Sequence, residues 1–282
     1  MATTLAAGTA AQGSLTGPIS VRSHRVGRSS RTSQRTNEAV DGVGPVNTAT
    51  QSKAQLVDMG KRMGKLKRLA QPIGVILDQV PTRVFIETGT FLGESVEFAL
   101  DLPFRAWHSV ELSEELHEAA QARFSNVPDL ALHRGDSAVV IPEILEDLRE
   151  PAVFWLDAHY CFLDTARGPK DCPLVEEVEA IARHEQDTGL EHVVLVDDYH
   201  ILGTSSSSPW LVSDDVVFIP EADWSEVTPE LISSILGASG RKQLHVWGDA
   251  LFALPPGVDV AKVVVPPDPY VAAQAITDVD SE

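Results

Sequence analysis

The chain has 282 residues, 43% of them hydrophobic and 22% charged, with a formal net charge of −19. That acidity excludes a general nucleic-acid binder, which needs a basic surface to displace the counterions of phosphates. The apolar stretches at 192–196 and 262–265 are strand-sized, well short of the roughly 18 residues that span a bilayer, so no membrane role is expected.

Charge is unevenly spread. Residues 1–53 carry +4 and the rest of the chain −23. Residues 1–52 are rich in Ala, Gly, Ser and Thr and hold no aromatic residue. Arg22, Arg25, Arg28, Arg31 and Arg35 recur there with no acid before Glu38. This composition offers nothing to bury and fits a disordered extension as well as an organellar targeting segment. The compartment expected is cytoplasmic, or organellar if the segment is a transit peptide. Cys161 and Cys172 form neither a disulfide framework nor a zinc-type cluster and read as free thiols.

From Lys53 to about Gln71, Leu56, Met59, Met63, Leu66 and Leu69 stand at helical spacing opposite a basic face. Strand and helix signals then alternate. Strand-like runs are Arg83–Glu87, Trp107–Leu112, Leu130–His133, Ala152–Asp157 and His192–Asp197. Helix-compatible segments are Glu94–Leu100, Glu114–Phe124, Val139–Leu148 and Pro173–Glu185, with another at 228–237. Gln243–Trp247 and Ala250–Leu254 flank a tight Gly248-Asp249 connection, as in a hairpin. The pattern predicts an α/β domain over 53–270, a doubly wound, mostly parallel seven-stranded Rossmann-like sheet ending in an antiparallel hairpin. Residues 271–282 are an acidic C-terminal tail.

In such sheets ligands bind beyond the carboxyl ends of the strands, so those positions carry the functional signal. The first strand ends in Glu87-Thr88-Gly89-Thr90-Phe91-Leu92-Gly93. This loop lacks the third glycine of a dinucleotide fingerprint, and its acid is ill-placed beside a pyrophosphate. An acid with a Gly-x-x-x-Gly loop suits a ligand bearing an ammonium group and no phosphate, as S-adenosylmethionine does. Glu111, 24 residues after Glu87, can accept from both hydroxyls of a ribose, while Ser113 can cap the next helix. Gly135-Asp136-Ser137 offers an acid and a hydroxyl to an adenine amino group, although turn chemistry alone accounts for such a triplet.

In order and spacing, Glu87-x-Gly89-x-x-x-Gly93, Glu111 and Gly135-Asp136 resemble class I S-adenosylmethionine-dependent methyltransferases over roughly residues 82–254. The resemblance implies cofactor contacts from Glu87, Gly89, Thr90, Gly93, Glu111, Asp136 and Ser137. Leu156-Asp157-Ala158-His159-Tyr160 and Val196-Asp197-Asp198-Tyr199 resemble the metal-dependent macrocin O-methyltransferase family and, more distantly, catechol O-methyltransferase. That likeness implies Mg²⁺ or another divalent cation on Asp157, Asp197 and Asp198. Carboxylates sharing a cleft raise one another's pKa, and a hard cation relieves this. The chain departs from the family at His159, which stands where a second acid is expected, and at Tyr160, one position early. A histidine there can take a proton near neutral pH and is the expected catalytic base.

The polar loop Leu163–Pro173, with Arg167 and Lys170, and the connection 203–227, with Ser205–Ser208, Trp210 and Trp224, are candidate substrate-binding or lid segments. The expectation is metal-assisted O-methylation of a small hydroxylated molecule. Two rivals are a nicotinamide-dependent oxidoreductase, opposed by the missing glycine and the absence of a Tyr-x-x-x-Lys pair, and a non-catalytic cofactor-binding module. The acceptor and the oligomeric state leave no mark in the sequence.

Overall fold

The computed structural model describes residues 65–160, 165–205, 210–212, 215–217, 222–240 and 242–264. The expected tails, 1–52 and 271–282, and the first part of the basic helix lie outside them, as does Cys161. The described part of that helix is two short pieces, α1 (Lys65–Arg68) and α2 (Ala70–Leu77). Helix therefore runs past the expected end at Gln71. Pro72 sits in the first turn of α2, where its missing N–H has no helical partner to lose.

Five strands, β1 (Val84–Thr88), β2 (Ala106–Glu111), β3 (Leu130–Arg134), β4 (Ala152–Leu156) and β5 (Val193–Val196), pair in parallel in the order β3-β2-β1-β4-β5. Between and after them run α3 (Glu94–Leu100), α4 (Glu114–Arg123), α5 (Ser137–Asp147), α6 (Leu174–Thr188) and α7 (Pro229–Gly237). The connection after β5, expected as a long loop, holds a small ribbon of its own, β6 (Trp210–Val212) against β7 (Asp215–Val217). The hairpin β8 (Gln243–Trp247) and β9 (Ala250–Leu254) then joins the main sheet with β9 antiparallel to β5. The seven-stranded, mostly parallel sheet with a closing antiparallel hairpin is as expected.

Alternation along the strands makes two cores. Val84, Ile86, Phe154, Leu156, Val194 and Val196 face α5, α6 and α7. Phe85, Val153, Trp155, Val193 and Leu195 share the other face with the hairpin residues Phe252 and Leu254 and pack against α1 and α2. A sheet covered on both faces needs such unbroken apolar strands. Helix starts are fixed by side-chain caps: Ser113 accepts from the Leu116 N–H, Asp136 from Ala138, and Thr228 from Leu231. From β1 the chain moves outward to β2 and β3, then crosses back to β4. This places the switch point, and the crevice it opens, between the carboxyl ends of β1 and β4.

Candidate active site

The crevice is an open cleft with about 800 Å³ of empty space. Its lining includes Gly89, Glu111, Asp136, Ser137, Asp157 and His159, each of which the sequence singled out. Phe91, Leu112, Leu116, Tyr160 and Asp171 also line it. Leu112 and Leu116 carry no polar signal, and their register places them there only once Ser113 is known to start α4.

Glu111 is the best-defined group. It is 6% exposed. Its Oε2 accepts the Phe91 N–H and its Oε1 the Ser113 N–H, each at 2.8 Å. A carboxylate has about four acceptor positions, so one remains on each oxygen. Two adjacent acceptors match the two hydroxyls of a ribose.

Glu87, Thr90 and Gly93 do not line the cleft. Glu87 is fully buried beneath the loop; its Oε1 accepts from Ser109 at 2.6 Å, and the Ser109 and Thr90 hydroxyls are 2.5 Å apart. Burial pushes its carboxyl up to about 8, against the hydroxyls of Ser109 and Ser95. This group fastens the loop to β2. Gly93 sits at φ 77°, where an added Cβ would lie 2.6 Å from the Phe124 ring. Gly89, at φ 83°, would place a Cβ 2.6 Å from the Asp157 carbonyl oxygen. Its glycine is thus required by the close approach of the β1 and β4 ends, before any ligand is considered.

Asp136 caps α5 through its Oδ1. Behind it lies Glu177 of α6, 1% exposed and pushed up to about 7 by burial, with the hydroxyls of Ser137 and Thr88 opposing the rise. Sequence reasoning passed over Glu177, which reads as one of several acids on a solvated helix face.

At the ends of β4 and β5, the donor atoms that gather within 4.8 Å are those of Asp157, His159 and Asp198. His159 lies between the two acids, with Nδ1 3.5 Å from Asp157 Oδ1 and Nε2 3.0 Å from Asp198 Oδ2. Its side chain is 8% exposed and packs edge-on to Trp224. Asp197 does not join this group. It lines a second, smaller cavity with Glu177 and Cys172, which His159 also borders. Asp198 is left-handed at φ 50°, ψ 44°, a turn that separates it from Asp197. The expected aspartate trio is therefore a pair, with the histidine as third donor.

The loop cations are already matched. Arg167 makes a two-pronged contact with Asp171 at 2.6 and 3.0 Å and lies over the Tyr160 ring, while Lys170 pairs with Glu176. An anionic ligand gains little from them. Trp224 is fully buried, donating from its indole to the Asp171 carbonyl. It forms a buried wall beside His159. Cys172 is buried and its thiol is pushed up to about 12 by burial, too high for a nucleophile.

Neither a family model nor a curated protein matches the chain. Solved structures do resemble it at low identity. One is an O-methyltransferase from Bacillus cereus in complex with SAH: 14% identity, TM-score 0.43, 74% of this chain and 94% of that one. Another is SAM-bound CalS10, an amino pentose methyltransferase from Micromonospora echinaspora: 13% identity, TM-score 0.44, 74% of this chain and 98% of that one. A third is the spermidine synthase of Thermotoga maritima: 12% identity, TM-score 0.43, 70% of this chain and 62% of that one. Numbering only the strands of the main sheet, the order is 3-2-1-4-5-7-6. This is a doubly wound, Rossmann-like sheet closed by an antiparallel hairpin, and strand order and direction carry that statement.

Proposed function

We propose that the chain is an S-adenosylmethionine-dependent methyltransferase acting on a hydroxyl of a small molecule, with metal assistance. The observation that carries the reading is Glu111, which lines the cleft and whose two oxygens are each anchored by one backbone N–H, leaving acceptor capacity on each. Leu112 and Leu116 offer apolar surface for an adenine face beside Asp136 and Ser137. Among the cleft residues Lys170 is the lysine, already paired with Glu176. Glu94 and Glu97 fill the first turn of α3, where a pyrophosphate would otherwise bind. This speaks against a nicotinamide dinucleotide.

Asp157, His159 and Asp198 would hold the cation, since two carboxylates and one imidazole are a sound donor set for a divalent ion. Bound there, it would lower the pKa of an acceptor hydroxyl. The chain itself contributes orientation, with Asp198 fixing the His159 ring and Asp157 facing the cleft.

One observation favours a second, metal-free reading: the imidazole of His159 already occupies the space between the two acids. His159, steered by Asp198, then takes the proton from the hydroxyl through Nδ1. A chelator separates the two. Methyl transfer from labelled S-adenosylmethionine that stops with chelator and returns with Mn²⁺ or Mg²⁺ supports the metal reading. Full activity in chelator supports the histidine alone, and His159→Ala then falls roughly 10²–10⁴-fold. Failure to bind S-adenosylmethionine at all overturns both.

A further inference from the structure

The β8–β9 hairpin turns through Gly248 and Asp249, both left-handed at φ 57° and 67°. Two-residue turns of this type favour glycine at the second position, because a side chain is strained there. Here that position holds an aspartate, only 4% exposed. Each of its three oxygens engages the same neighbouring segment. Its carbonyl accepts the Tyr199 N–H at 3.0 Å, its Oδ1 accepts the His200 N–H at 3.0 Å, and its Oδ2 lies 2.6 Å from His200 Nδ1. Tyr199 and His200 follow directly on Asp198, the residue that meets His159 at 3.0 Å. The donors of Asp198, His200 and Asp249 fall within 4.8 Å of one another.

We infer that Asp249 is a positioning residue for the cleft. It clamps the Tyr199-His200 segment, which keeps Asp198 left-handed and its carboxylate on the His159 ring. Turn chemistry would be served better by glycine; the clamp is what requires the carboxylate. The kinetic part of this inference rests on the methyltransferase reading, and the spectroscopic part does not.

Asp249→Gly tests it, since glycine suits the turn while the clamp is lost. Two quantities are compared with wild type in the full chain. The first is the ring ¹⁵N resonances of His159 in the free protein, assigned by their loss in His159→Gln. The second is kcat beside the affinity for S-adenosylhomocysteine. The expected result is a shift of the His159 resonances, an unchanged affinity and a kcat lower by about 10- to 100-fold, the effect of a small misplacement. Asp249→Asn keeps an oxygen for the His200 N–H and should fall less far. Unshifted His159 resonances would overturn the clamp. So would a fall in kcat matched by equal falls in affinity and melting temperature, which marks a merely structural residue. If wild type transfers no methyl group, the functional reading fails, yet the resonances still decide the clamp.

Discussion

The two ends of the parallel strands both gather histidines and acids, and they use them in opposite ways. At the amino ends of β4 and β5, His192 is fully buried and its Nδ1 accepts the Ala152 N–H at 3.1 Å. The proton of the neutral ring must then sit on Nε2, where it donates to His184 Nδ1 at 3.0 Å. Lys242 pairs with Glu185 at 2.7 Å and donates to the His192 carbonyl, and Glu185 accepts the His192 N–H at 2.7 Å. The groups turn on one another and away from solvent. At the carboxyl ends, Glu111, Asp136, Asp157 and His159 line an open cleft. Burial among partners marks a group that holds the fold; a fixed group on a cleft marks one that meets a ligand.

The largest effect expected lies at the boundary between the two classes. Gly89→Val puts a branched side chain against the Asp157 carbonyl at a left-handed φ. The loss should be about 4 kcal/mol or more, in the exceptional range for one substitution. A wild-type urea midpoint would show that β1 and β4 can separate at no penalty. Gly89 is consequently a poor probe of cofactor binding. At the amino ends, Lys242→Met leaves Glu185 buried without its cation and should cost about 3–5 kcal/mol. Retained activity per folded molecule would confirm that this network serves stability alone. A loss of kcat without a loss of stability would break the comparison.

The two regions should also titrate in opposite senses. Burial, with Lys242 and His184 adding to it, lowers His192 to about 3 from its ordinary 6.5. Its unfolded form binds the proton first, so stability is present above about 6.5 and drains as pH falls toward 3. Glu87 is raised to about 8 from 4.5. Its folded form binds the proton more tightly, so stability drains as pH rises through the window from 4.5 to 8. Glu87→Gln should flatten the fall in melting temperature over pH 5 to 8, and His192→Gln the fall below pH 6. Unchanged slopes would remove these groups from the balance. The smallest effect is on the surface. The Arg105–Glu150 pair leaves the arginine side chain 68% exposed, and Arg105→Ala should change stability by less than about 1 kcal/mol.

Much of this was legible in sequence because the sheet is covered on both faces. Runs such as Ala152–Leu156 and Val193–Val196 are apolar without interruption, and the acids that end them stand out. Spacing singles out Glu111, and following strand ends single out Asp157, His159 and Asp198; the first three line the cleft and Asp198 meets His159. Where placement differs from expectation, the reasons are physical. Glu87 looks like a ligand contact, yet nothing in the chain order says whether a strand-end acid points up into the crevice or down under its loop. Asp197 and Asp198 are neighbours, and only the left-handed turn at Asp198 decides which reaches His159. Glu177 and Asp249 were passed over because their roles depend on what packs against them, Ser137 and Thr88 in one case and Tyr199 and His200 in the other.

The most direct measurement is calorimetric titration of S-adenosylhomocysteine into the wild-type chain and into Glu111→Ala. Glu111 joins the β1 loop, the start of α4 and the cleft, and its two remaining acceptor positions carry the functional reading. Saturable binding by wild type is expected. The variant should bind about 10- to 100-fold more weakly, the equivalent of one or two hydrogen bonds to a charged acceptor. Equal affinity in the two proteins, or no binding to either, would contradict the assignment of this cleft to the methyl donor.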